Sequence, residues 1–203
     1  MGPRALEESG PPLTDADPPP PVRAFFALAL PEAHRQRLSP HLAECAALAP
    51  GFRWVAAANL HFTLRFIGSV ARAAALRIAE RIATHVLPAP RLELGELGTF
   101  KRGRLVRVVW VGLRSGSDAA RAVAAAVEAE CAGAGLESES RPFTPHLTLA
   151  RARDRDGAQL PELPPLPTLE VWTADELILY QSHLGRQGSV YEPLARIPLG
   201  RSD

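Results

Sequence analysis

The sequence predicts an α+β fold built on mainly antiparallel sheet, with two related lobes, helices on the outer faces and a central cleft. Three observations carry this. Apolar runs of strand length alternate with helix-like segments, but without the regular βαβ series that builds parallel sheets. A strand carrying His61-Phe62-Thr63-Leu64 is echoed by a later one carrying His146-Leu147-Thr148-Leu149, the mark of an internal repeat. Hydrophobic residues make up 46% of the 203-residue chain and charged residues 22%, enough apolar matter for a real core. Residues 1–22 read as a proline-rich disordered tail and 23–203 as a single bilobal domain.

In chain order, Arg23 to Leu30 is a strongly apolar run stopped by Pro31, and reads as a buried strand. Pro31 to Ala49 reads as helix with a kink or break at Ser39-Pro40. His34 and His41, with no ligand partners nearby in sequence, are expected at its surface. Phe52 to Val55 is a short extended stretch. Asn59 to Gly68 alternates cleanly, with Leu60, Phe62, Leu64 and Phe66 on one side and His61, Thr63, Arg65 and Ile67 on the other. Arg72 to Val86 is an amphipathic helix whose apolar face is Ala75, Ile78, Ala79, Ile82 and Val86. His85 falls in its last turn.

Arg91 to Leu97 and Arg104 to Leu113 form the next two strands, joined by the basic turn from Phe100 to Arg104. Ala119 to Ala132 is a helix, N-capped by Ser117 and ended by Gly133 and Gly135. The second histidine strand runs from His146 to Ala152. A loop spans Asp154 to Thr168. Leu169 to Trp172, Glu176 to His183 and Val190 to Leu199 are the closing strands, with a turn over Leu184 to Ser189. Cys45 and Cys131 sit in alanine-rich helical stretches and read as buried, inert thiols.

The two tetrads are where chemistry concentrates. Period-2 alternation puts His61 beside Thr63, and His146 beside Thr148, on the face opposite the apolar members. Histidine titrates near pH ~6.5, so of two facing one pocket, one can be neutral and the other protonated near neutrality. One takes a proton from an attacking water while the other gives a proton to the leaving oxygen. Threonine hydroxyls can hold nonbridging phosphate oxygens between them. This scheme suits a phosphodiester, above all a strained 2′,3′-cyclic ribose phosphate, and uses no metal or other cofactor.

A family resemblance rests on these stretches. Arg141-Pro142-Phe143-Thr144-Pro145-His146-Leu147-Thr148-Leu149-Ala150-Arg151 resembles the second motif of the 2H phosphoesterases. Trp54-Val55, followed by Asn59-Leu60-His61-Phe62-Thr63-Leu64-Arg65-Phe66-Ile67-Gly68, resembles the first. Arg23 to Leu28, Val106 to Gly112, Tyr180 to Ser182 and Gly188 to Tyr191 are similar to other strands of the family. The chain is most similar there to bacterial RNA 2′,3′-cyclic phosphodiesterases, also called 2′-5′ RNA ligases. The resemblance implies His61 as proton donor, His146 as proton acceptor, and Thr63 and Thr148 as phosphate holders. Arg151 matches a basic position that could contact phosphate. The sequence departs at Ala29, where relatives often have an acidic residue.

Two other readings use the same residues. An RNA-end binding module without turnover would use Arg65, Lys101, Arg102 and Arg104 for phosphates and Phe25 or Phe143 for stacking. A 2′-5′ RNA ligase activity would run related chemistry in reverse. The formal net charge of +1 excludes a global field for long polyanions, so partners are RNA with 2′,3′-cyclic phosphate ends or cyclic nucleotides. No apolar run is long enough to span a bilayer and no leader pattern opens the chain, so a cytoplasmic monomer with no membrane contact is expected.

Overall fold

The computed structural model describes residues 20–185 and 188–200. Most of the expected tail, up to residue 19, and part of the expected turn at 186–187 lie outside the described residues. The described residues fold as nine strands and three helices: β1 Val22–Ala29, α1 Glu32–Leu48, β2 Phe52–Trp54, β3 His61–Val70, α2 Arg72–Ile82, β4 Arg91–Arg102, β5 Leu105–Ser115, α3 Ser117–Gly133, β6 Leu147–Ala152, β7 Trp172–Thr173, β8 Glu176–Gly185 and β9 Gly188–Pro198. A short 3-10 turn, Ala57–Asn59, leads into β3. The strands form one curled half-barrel in the order β7-β4-β5-β6-β3-β1-β8-β9, with β2 also on β6. Every pairing among the described residues is antiparallel, as the absence of βαβ units predicts.

The helices lie at the periphery and cover one face of the sheet. Phe26, Leu28, Phe62, Leu147, Leu149 and Leu179 from the strands bury against Leu38 and Leu42 of α1, Ile78 and Ile82 of α2, and Val123 and Val127 of α3. Each buried side chain of this size contributes about 1.5–3 kcal/mol relative to exposure, so this face is the main driving force. Alternation then leaves the opposite strand face free for polar groups.

Several expectations are corrected. His34 and His41 are buried, because they share the helical stripe of Leu38, Leu42 and Cys45. The ring of His34 packs 4.8 Å from that of Trp172, and its Nε2 lies 2.8 Å from the Glu170 carbonyl. Pro40 does not divide α1, which is one helix. Ser117 does not cap α3. Gly116 holds that position at φ 87°, where a Cβ would meet the Arg91 carbonyl oxygen at 2.2 Å. The second helix ends at Ile82, so Val86 is exposed and His85 pairs with Glu130 at 2.9 Å instead of serving the last turn. Cys45 and Cys131 are buried free thiols, as expected.

The alternation of β3 is also interrupted. Its register with β1 skips Leu64 and later Ile67, each an extra residue of the bulge type. Phe66 therefore moves to the side of Phe25, its partner, and is 55% exposed, while Ile67 is buried. Arg65 comes opposite Phe26, on the helix side.

Candidate active site

The tetrads meet at one point of the sheet. Phe62 and Leu147, the apolar second residues of the two tetrads, form the registered pair between β3 and β6. Paired residues share a face, so both side chains enter the core. The antiparallel sense brings His61 toward Thr148 and Thr63 toward His146. The two tetrads thus lie head to tail on the face away from the helices.

The two histidines are held in the same way. His61 Nδ1 lies 2.7 Å from the Asn59 carbonyl, and His146 Nδ1 lies 2.8 Å from the Thr144 carbonyl. A carbonyl only accepts, so each Nδ1 carries the proton and each neutral ring presents Nε2 as an acceptor. Both carbonyls sit two residues upstream of their histidine. Any residue type supplies a carbonyl, so no signal in the sequence announces this contact.

The surroundings of the two rings differ. His61 packs among Phe25, Tyr191 and Tyr180, at ring distances of 4.9, 5.1 and 6.3 Å. The Thr63 hydroxyl donates to its Nε2 over 2.9 Å. Burial lowers its pKa to about 4, opposed by the Asn59 carbonyl and assisted by the positive charges of Arg151 and His146. His146 lies edge-on to Phe100 at 5.2 Å and to Trp110 at 6.3 Å. Trp110 pairs with Thr148 on one side and Gly98 on the other. A Cβ on residue 98 would meet the indole ring at 2.3 Å, so glycine is required for the ring to lie there.

A bulge also explains Arg151. Strict alternation would put residue 151 on the face opposite His146. The β5–β6 register skips Leu149, just as the β1–β3 register skips Leu64. The tetrad leucine is the extra residue in both strands. This returns Arg151 to the Thr148 side, as it returns Phe66 to the Thr63 side.

A cavity of about 830 Å³ opens where β3 and the segment before β6 diverge from the Phe62–Leu147 pair. Thr63, His146, Thr148 and Arg151 line it. His61 does not line it and stands behind Thr63. Four of the five site residues expected from the sequence therefore face one space, and the fifth reaches it through a hydrogen bond.

Arg65 does not offer its charge to this space. It is 7% exposed and bridges to the far wall, with Nε 2.6 Å from Glu128 and Nη1 3.2 Å from Glu139. It also donates to the backbone carbonyls of Phe66 and Glu137. Arg102 pairs with Asp156. Phe25 is 1% exposed and has no free face for a base. Of the residues that a binding module would use, Arg65 and Arg102 are thus held in ion pairs and Phe25 is enclosed, while Phe143 lines the cavity. Among the described residues no three or more His, Cys, Asp or Glu side chains converge as metal ligands. No helix is long and apolar enough to cross a membrane.

A curled antiparallel sheet carrying twin His-x-Thr strands defines a two-histidine phosphoesterase class of site. Residues 26–186 match the 2′-5′ RNA ligase superfamily, and the chain belongs to that family. It is 38% identical over 151 residues to an RNA 2′,3′-cyclic phosphodiesterase of Aeropyrum pernix, covering 71% of this chain and 84% of that one. It is 34% identical to an RNA 2′,3′-cyclic phosphodiesterase of Escherichia coli, covering 87% of this chain and 96% of that one. The structure of E. coli LigT complexed with 3′-AMP superposes with a TM-score of 0.76 at 30% identity, covering 89% of this chain and 99% of that one.

Proposed function

We propose that this protein is an RNA 2′,3′-cyclic phosphodiesterase. It hydrolyses cyclic phosphate ends of RNA, or cyclic nucleotides, to 2′-phosphomonoesters. The observation that carries the reading is the junction at Phe62 and Leu147, beside which each histidine is fixed through Nδ1 to a carbonyl two residues upstream and His61 Nε2 meets Thr63 on the wall of the cavity that His146 lines. The relatives named above support it. Each half of the sheet is one lobe, and the cavity between β3 and the approach to β6 is the floor of a central cleft.

In the reaction, a water attacks phosphorus and His146 Nε2 takes its proton. The P–O3′ bond breaks and His61 Nε2 delivers a proton to the departing 3′ oxygen. Thr63, Thr148 and Arg151 hold the nonbridging oxygens. His61 is neutral in the free protein at neutral pH, because its pKa lies near 4. The donor role therefore requires proton uptake with substrate. A phosphodiester anion supplies the charge that makes this favourable, and the Thr63 hydroxyl then turns from Nε2 to the phosphate. The opposite assignment, His61 as base, is favoured by that same low pKa and predicts no proton uptake on binding.

The site works on RNA ends in the cytoplasm, as a monomer, with ligation as a side activity of the same groups. The test is hydrolysis of an oligoribonucleotide with a 2′,3′-cyclic end, with separation of 2′- from 3′-phosphate products. Formation of the 2′-phosphate is expected. Absence of turnover would leave an RNA-end binding module, and a 3′-phosphate product would reverse the leaving oxygen.

A further inference from the structure

We propose that the α3 end of the cavity is a second phosphate subsite, built from Arg121 and Arg141, for the phosphodiester one nucleotide 5′ of the cyclic end. The preferred substrate is then a cyclic-ended oligoribonucleotide of at least two residues, in place of a cyclic mononucleotide. This rests on the phosphodiesterase reading above.

Three observations carry it. The cavity that holds Thr63, Thr148 and Arg151 continues without a break to Arg121, on α3, and Arg141, on the approach to β6. Its volume, about 830 Å³, lies in the upper part of the range for small-molecule sites of roughly 300–1,000 Å³, and one cyclic phosphate uses only the tetrad end. The carboxylates on its wall are already engaged: Glu128 and Glu139 both pair with the buried Arg65. Arg141 has no carboxylate partner among the described residues, and Arg121 shares only the fully exposed Asp118. Arg65 offsets one of these two glutamate charges, and Arg121 with Arg141 leaves the lining at that end with one net positive charge. Arginine forks match phosphate oxygens in pairs.

The geometry also limits the subsite to one phosphate. Beyond Arg141 a smaller cavity of about 390 Å³ continues along Gly68 and Leu136, where Glu137, which has no ion-pair partner among the described residues, lines the way. A second 5′ phosphate would meet this carboxylate. Phe66 and Phe143, on the walls beside the two arginines, supply apolar surface for the intervening nucleoside.

The experiment compares uridine 2′,3′-cyclic monophosphate with a diribonucleotide ending in the same cyclic group. Wild-type protein is expected to favour the dinucleotide in kcat/KM. In Arg121→Ala and Arg141→Ala the dinucleotide value should fall about fivefold to tenfold, mainly through KM, while the mononucleotide value changes less than twofold. Arg141→Lys should recover part of the loss. Equal losses on both substrates, or none on either, would overturn the subsite. Calorimetry on His146→Ala gives a readout without turnover. The dinucleotide 2′-phosphate should bind more tightly than the mononucleotide 2′-phosphate, and Arg121→Ala should remove the difference. Equal affinities overturn the subsite even if hydrolysis itself is never seen, whereas a binding difference without hydrolysis upholds the subsite and removes only the phosphodiesterase reading.

Discussion

Phe62 stands directly opposite Leu147, and this pair is the hydrogen-bonded register that joins β3 to β6. It connects the β3-β1-β8-β9 half of the sheet to the β7-β4-β5-β6 half. Both side chains are buried in the core that the helices cover. The same two residues therefore hold the halves together and set the spacing of the histidines beside them.

Phe62→Ala tests this double role. The ring is 1% exposed, and large-to-small changes at such sites cost about 3–5 kcal/mol. Urea unfolding should show that loss. Phosphodiesterase activity of the remaining folded protein should also fall, because the tetrads lose their common anchor. Undiminished turnover per folded molecule would show that the junction has no part in placing the histidines.

His61→Ala and His146→Ala should each lower turnover of a 2′,3′-cyclic end by about 10²–10⁴-fold, the usual range for a lost acid or base. Neither side chain belongs to the buried core, so circular dichroism should remain native. Full activity in either variant sinks the two-histidine mechanism.

The low pKa of His61 has a stability consequence with a definite sign. In the unfolded chain histidine titrates near ~6.5, and in the folded protein His61 titrates near 4. Below about pH 6.5 the unfolded state binds the proton first. The stabilisation is therefore complete above that pH and is lost as the pH falls through 4. For this half-buried ring the loss is on the order of 2 kcal/mol. Urea midpoints measured from pH 7 to pH 4 should fall less in His61→Asn than in wild type. Parallel curves would refute the assignment.

Arg65 bridges β3 to α3 and to the segment that leads to His146. Removing one partner of a buried ion pair costs about 3–5 kcal/mol, because the other charge is left behind. Glu128 and Glu139 are more exposed than Arg65, so Arg65→Met should cost about 3 kcal/mol, the lower end of that range. Denaturant unfolding would reveal this, and Glu128→Gln on the Arg65→Met background should recover part of it. Additive losses in the double variant would refute the pairing.

Much of the site was legible before folding was considered. The His-x-Thr-Leu repeat located four residues that the sheet gathers around one junction. Alternation assigned their faces correctly as far as Thr63 and Thr148. It failed one residue later in each strand, because a bulge at Leu64 and at Leu149 resets the parity. A bulge depends on the partner strand, and its residue is an ordinary leucine in sequence. The same limit applies to Arg65. As an alternating strand arginine it reads as a phosphate ligand. Its carboxylate partners, Glu128 and Glu139, lie far along the chain on α3 and the segment after it.

The sequence by itself determined the antiparallel α+β class, the Ala75, Ile78, Ala79 and Ile82 face of α2, and the pair of tetrads. These follow from local periodicity and residue chemistry, which a linear chain displays. Tertiary structure alone decided which carbonyls hold the imidazoles, that burial leaves His61 neutral, and that Arg151 turns inward while Arg65 is consumed in an ion pair. Each of these depends on what lies across the sheet or against α3. Contacts between residues far apart in the chain have no periodicity to read.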